Sequence, residues 1–208
     1  MTGTQRKVLE AAEAEFAEFG FAGASIRNIT QRAGVNVASI HYHFGSKEEL
    51  IKQLLLYRIA PVNELRLSRL ASEQLNYPNG AVPIPVLVDV MVRPALEKIL
   101  SPDGGLFVRA MARCMSEPFA GMEDIDREVF SEVFSTFCRA FGKALPHLSE
   151  DAVMAQMNYV VCSMVGMMMH FPRIGHLHGT EISEERSTQM LESFIHFVAA
   201  GVEGAQPV

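Results

Sequence analysis

Cysteine is scarce: Cys114, Cys138 and Cys162 are widely separated and set in apolar sequence of helical character. Such spacing excludes a disulfide framework and a metal-finger pattern, and a reducing cytoplasm is the expected setting. No leader is legible, because MTGTQRKVLEAAEAEF turns amphipathic and acidic without an apolar core or a small-residue cleavage site. Long apolar runs are also missing. The longest, Tyr159 to Phe171, is interrupted by Ser163 and falls short of the roughly 20 residues that span a bilayer, so no membrane partner is expected. Positive charge is in deficit: a formal net charge of −6 argues against a protein that coats nucleic acid by bulk electrostatics. There is no phosphate-cradling glycine loop, nucleophile elbow or Cys–His pairing, so neither an enzyme nor a resident cofactor is indicated.

Charge of one sign is also absent locally. No Asp or Glu lies between Glu18 and Glu48, while Arg27, Arg32 and Lys47 fall in that gap together with His41 and His43. One face of the amino-terminal part can therefore be positive on an acidic protein.

What is present reads as helix throughout. With 208 residues, 49% of them hydrophobic, the chain can bury one good core or a small and a larger one. Val8, Leu9, Ala12, Phe16 and Phe19 lie on one helical face, and Gly20 is placed as its stop. Ile26 to Ala33 predicts a short helix with Ser25 as N-cap and Gly34 at its end. Val37 to Phe44 predicts another, with Ile40 and Phe44 as its buried pair. Ser46-Lys47-Glu48-Glu49 forms a capping box ahead of Leu50, Ile51, Leu54 and Leu55. Beyond it Pro61, Pro78, Pro83, Pro85 and Pro94 punctuate a weaker region, which sets a boundary near residue 50 and divides the chain into 1–50 and 51–208. Further helices are expected over Leu106 to Met115, Asp124 to Leu145, Ser149 to Phe171 and Ser183 to Val202, with no strand alternation or internal repeat. The fold class is all-α: an N-terminal three-helix domain containing a helix-turn-helix, followed by a C-terminal helical domain.

Two short helices joined by a glycine-containing turn and buttressed by a longer one match a helix-turn-helix. On the second of them, Val37, Ala38 and Ser39 are small enough for close approach to a major groove, and His41 can reach a base edge. Ser25, Ser39, Tyr42, His43 and Lys47 supply hydroxyl, imidazole and ammonium groups suited to phosphate oxygens. His41 and His43 point apart at i, i+2 on a helix, which is not a metal-ligand register.

The segment from Val8 to Ile51 resembles the N-terminal pattern of the tetracycline-repressor (TetR) family. The matching pieces are Ala11-Ala12 with Phe16, Gly20, Ser25-Ile26-Arg27 with Ile29, the turn Ala33-Gly34-Val35, and His43-Phe44 with Ser46-Lys47 and Leu50. The resemblance implies an all-helical homodimer that binds a palindromic double-stranded DNA operator, and a repressor released from it by a small effector. It assigns Ser25, Ser39, Tyr42, His43 and Lys47 to phosphates and Arg27, Val37 and His41 to bases. One position departs from the pattern. Where many members carry tyrosine this chain has His41, and the adjacent Tyr42 offers the phenol instead, leaving the two roles interchangeable.

The C-terminal half is rich in methionine and phenylalanine. Phe107, Met111, Phe134, Phe137, Met157 and Met164 are candidates to line a pocket for a lipophilic effector, and the same residues also serve as ordinary core. The fragments Asn36-Val37-Ala38, Tyr42 to Lys47 and Phe197-Val198-Ala199-Ala200-Gly201 resemble fatty-acid-responsive members of the family, which implies a fatty acid or acyl thioester as effector. The last two long helices are too apolar for a single buried face, and a partner copy is the expected cover. His170, His176 and His178 cluster around Pro172 and Gly175 without an acidic or cysteine neighbour, so no metal is expected there. The three cysteines are expected to be buried and unreactive.

Overall fold

A computed structural model of the chain describes residues 1–78, 80–100, 104–115, 122–177 and 183–207; side chains are described for these except at 99, 100, 104, 112–115, 122, 171–177 and 184. The protein is all-α, with no strand among the described residues. In chain order the helices are α1 (Gly3–Gly23), α2 (Ile26–Ala33), α3 (Val37–Phe44), α4 (Lys47–Asn76), α5 (Ile84–Leu100), α6 (Gly104–Met115), α7 (Met122–Ile125), a π-helical turn (Asp126–Phe130), α8 (Ser131–Ala144), α9 (Glu150–Leu177) and α10 (Glu184–Glu203). They form two compact units. The first comprises Met1–Pro61 with Pro102–Phe130, and the second Val62–Ser101 with Ser131–Val208.

In the first unit the apolar stripe of α1 closes on the short helices: Phe16, Ile29, Ile40, Leu50 and Ile51 are buried together with Leu54, Leu55, Ala110, Ile125 and Val129. Removing a buried aromatic of this kind costs about 3–5 kcal/mol, which makes Phe16 a principal anchor of the unit. The boundary expected near residue 50 falls inside α4, and the unit extends to Pro61 and takes in α6 and α7. Apolar burial decides this, since Leu54, Leu55 and Ile59 continue the same core.

Gly20 breaks the first helix where the sequence places its stop. It adopts φ 70° and ψ −176°, a break that only glycine takes readily, after which helical turns resume to Gly23. The bounds of α2 and α3 follow the sequence pattern. Gly34 ends α2 in the left-handed conformation, with φ 66° and ψ 34°, and the Val35 N–H donates back to the Thr30 carbonyl at 3.0 Å.

The proline-punctuated stretch holds two long helices instead of a weak region. Pro61 lies within α4 and Pro94 within α5, each removing an intrahelical donor. Burial of Leu87, Val88, Val92 and Leu96 outweighs the loss at Pro94. Pro85 sits in the first turn of α5, where its missing N–H costs nothing. In the second unit α5 packs on α8, α9 and α10, with Phe137, Phe141, Met157 and Val160 fully buried. Arg93 ties α5 to α10, its Nη1 lying 2.8 Å from Glu192 Oε1 and its Nη2 2.5 Å from Asp89 Oδ1. The helix expected over Asp124 to Leu145 is divided by the π-helical turn, where Glu128 pairs with Lys52 at 3.1 Å.

Candidate nucleic-acid interface

The platform is set by a carboxylate. Glu15 of α1 is 0% exposed and reaches the start of α2. Its Oε1 accepts from the Ser25 N–H at 3.3 Å and from Asn28 Nδ2 at 2.9 Å, and its Oε2 lies 3.1 Å from Arg32 Nε. A negative group at a helix N-terminus is favourable, so the same contact satisfies an orphan amide and fixes where α2 begins. Ser25 occupies the N-cap position without a side-chain cap bond, and its hydroxyl is not spent on capping. Sequence reasoning missed Glu15. The available signal was its place on the core stripe, three residues after Ala12 and seven after Val8.

Asn36 caps α3, its Oδ1 accepting from the Ser39 N–H at 2.8 Å and from Ser39 Oγ at 3.1 Å. The Ser39 hydroxyl is therefore held on its own helix cap. Burial of Ile40 and Phe44 fixes the rotation of α3 and turns Val37, Ala38, His41 and Tyr42 outward. Val37 is 44% exposed and Tyr42 85% exposed, a large solvation for a tyrosine that touches chiefly the ring of His43, edge-on at 4.9 Å. His43 is half-buried between Tyr42 and Phe44. His41 Nδ1 lies 3.0 Å from the Gly45 carbonyl, which accepts a hydrogen bond from it and leaves Nε2 of the exposed ring as the acceptor when the imidazole is neutral.

The cations are distributed differently from the sequence expectation. Arg27 is exposed and makes no ion pair among the described residues. Arg32 is held by Glu15 and, at 2.5 Å, by Glu18, so its charge is matched by acids that precede the acid-free stretch. Lys47 is half-buried and turned toward α1: its Nζ donates to the carbonyls of Phe21 at 2.8 Å and Ala24 at 3.2 Å, and lies 4.6 Å from the Phe21 ring centroid. Its ammonium closes the C-terminal end of α1, where a cation suits both the free carbonyls and the helix dipole. Ser25, Arg27, Val37, His41, Tyr42 and His43 thus remain the groups available at the surface of α2 and α3.

The six residues expected to line an effector pocket do not converge within one unit. Phe107 and Met111 on α6 are half-buried in the first unit, against the core that holds Phe16, Ile51, Leu54 and Leu55. Phe137, Met157 and Met164 are buried and Phe134 half-buried in the second, on the paired helices α8 and α9. Cys162 is exposed, contrary to the expectation of burial, because it faces away from the α9 core marked by Val160 and Met164. Cys138 is half-buried and its thiol pKa is raised by that burial. The side chains of Cys114 and His176 and the whole of His178 lie outside the described residues; His170 is exposed.

An all-α chain whose small helix pair is seated on a buried carboxylate and presents an outward aromatic is a helix-turn-helix protein by fold and surface. Residues 8–54 match the model of bacterial regulatory proteins of the tetR family, and residues 89–201 match that of the tetracyclin repressor-like C-terminal domain. The chain belongs to the TetR family. Among curated proteins it is 43% identical over 49 residues to the HTH-type transcriptional repressor KstR2 of Mycobacterium tuberculosis, covering 24% of each chain. To the HTH-type transcriptional repressor AcnR of Corynebacterium glutamicum it is 32% identical over 83 residues, 40% of this chain and 39% of that one. The aligned part thus spans between a quarter and two-fifths of these relatives' length. Two solved structures share the whole fold. A tetR family regulator from Shewanella sp. PV-4 gives a TM-score of 0.69 at 16% identity over 96% of this chain and 98% of that one. The fatty acid degradation regulator FadR from Bacillus halodurans gives 0.68 at 13% identity over 97% of each.

Proposed function

We propose that the protein is a cytoplasmic, ligand-responsive transcriptional repressor that binds a palindromic duplex operator as a homodimer and is released by a small lipophilic effector. The observation that carries this reading is the outward face of α3, where Val37, His41 and Tyr42 stand clear of the core on a helix locked in rotation by Ile40 and Phe44. Small and imidazole groups there suit base edges; Tyr42, His43 and the Ser25 hydroxyl suit phosphates, with Arg27 as the free charge. Lys47 joins them through the one ammonium proton left after its two internal bonds, and Ser39 joins them by turning its hydroxyl from Asn36 to a phosphate oxygen.

Self-association is supported by apolar surface in the second unit. Tyr159 is 62% exposed on α9 and Phe197 72% exposed on α10, with Met154, Val165 and Met169 also open. The span Glu150–His170 is long and apolar enough by length and composition to cross a membrane, with a mean hydropathy of 1.4 over its window, more than the sequence expectation allowed. A second copy covers such a face without a bilayer, and a two-fold pair sets its reading helices about 34 Å apart or a multiple of that on the duplex.

A gel shift with genomic duplex fragments at low and raised salt tests the reading. Binding that weakens steeply with salt is expected, and no binding at low salt refutes it. An enzyme or a helical adaptor for other proteins would give no such shift.

A further inference from the structure

The second unit holds a buried guanidinium that meets no carboxylate among the described residues. Arg66 of α4 is 4% exposed, and it joins three helices. Its Nε donates to the Met91 carbonyl of α5 at 2.7 Å, its Nη1 to Asn63 Oδ1 at 3.0 Å, and its Nη2 to the thioether of Met164 on α9 at 3.2 Å. No carboxylate pairs with it among the described residues. Arg32, Arg58 and Arg93 contrast with it: all three are more exposed, and each meets a carboxylate. Burial without an opposing charge lowers the Arg66 pKa to about 10.

A buried charge is normally paired, and a thioether is a weak acceptor for a charged donor. Met164 holds the place of a better one. Methionine is also the side chain most able to swing aside, and Val88 on α5 and Met157 and Val160 on α9 supply buried apolar surroundings in the adjoining turns. Building on the reading of this unit as the effector domain, we infer that Arg66 anchors the effector and that the effector is an amphipathic anion, an apolar body ending in a carboxylate. The planar fork of Arg66 receives the two carboxylate oxygens in place of the Met164 sulfur.

Calorimetry on delipidated full-length protein with sodium decanoate and 1-decanol, which share an apolar chain and differ in charge, tests this. Decanoate is expected to bind wild type about tenfold or more tightly than decanol, as charge-assisted bidentate pairing implies. In Arg66→Met that preference should vanish while decanol affinity stays, and in Arg66→Lys part of it should persist. Equal affinity of the two probes for wild type, binding of neither, or a preference that survives in Arg66→Met overturns the anchor. Circular dichroism checks the folding of each variant, and if Arg66→Met fails to fold, wild type and Arg66→Lys still decide. A gel shift on the same preparations separates the two proposals: retained DNA binding without a carboxylate preference sinks the anchor alone, whereas absent DNA binding sinks the regulator reading.

Discussion

Glu15 stands where helical periodicity calls for a hydrophobe, and two hydrogen-bond donors with the Arg32 ion pair make that burial tolerable. Replacing it by alanine removes the acceptor shared by the Ser25 amide and Asn28, and one of the two carboxylates that meet Arg32. A loss of about 1.5–3 kcal/mol is expected in urea unfolding of Glu15→Ala, with a smaller loss for Glu15→Gln, which keeps an acceptor. Tyr42 is the opposite case. Because its ring is solvated, Tyr42→Ala should leave stability within about 0.5 kcal/mol while weakening DNA binding alike at every sequence in a gel shift. At the start of α4, hydrogen bonds from its own backbone amide and from the Ser46 hydroxyl hold the Glu48 carboxyl below the usual glutamate range. Folding therefore favours the ionised form, and the stability it adds is present above the ordinary glutamate pKa and lost as pH falls through the lowered one. A Ser46→Ala variant should show less of that acid-side loss when unfolding is followed from pH 6 down to the acid limit. The outward phase of α3 was legible because Ile40 and Phe44 set it. The fates of Lys47 and Arg32 were not, since the acceptors of Lys47 lie 26 and 23 residues upstream and Glu18 lies 14 residues before Arg32.

Among the elements, the short helices were the most legible. Glycines stop α2 and α3 and Asn36 caps the start of α3, all by local chemistry, whereas the start of α2 rests on Glu15 ten residues upstream. A Cβ at Gly34 would meet nothing within 4 Å, so only its left-handed backbone resists substitution. Gly34→Ala should cost about 1–2 kcal/mol in urea unfolding, and a neutral result would show that the turn relaxes freely. The long helices were less legible, because α4 and α5 continue through Pro61 and Pro94 on the strength of burial that a single sequence does not display. The π-helical turn at Asp126–Phe130 left no local mark either, since Val129 and Phe130 fit the periodicity of an ordinary helix.

For the molecule as a whole, the all-α class and the family pattern were readable, and the division of the chain was not. The helix α6 joins the first unit through contacts with α1 that no periodicity announces. The open apolar face of the second unit gives the assembly prediction. Wild type should sediment as a dimer at micromolar concentration, and Tyr159→Glu with Phe197→Glu should sediment as a monomer with unchanged helicity; a monomeric wild type would refute the assembly.

The route of the chain also governs what can be cut from it. A fragment stopping after residue 50 would discard Leu54, Leu55, Ile59, Ala110, Ile125 and Val129, all of which seal Phe16 and its neighbours from water. Chimeric regulators made by splicing a foreign sensor onto residue 50 would inherit an unsealed head, whereas a graft that carries residues 1–61 together with 102–130 would transplant it whole.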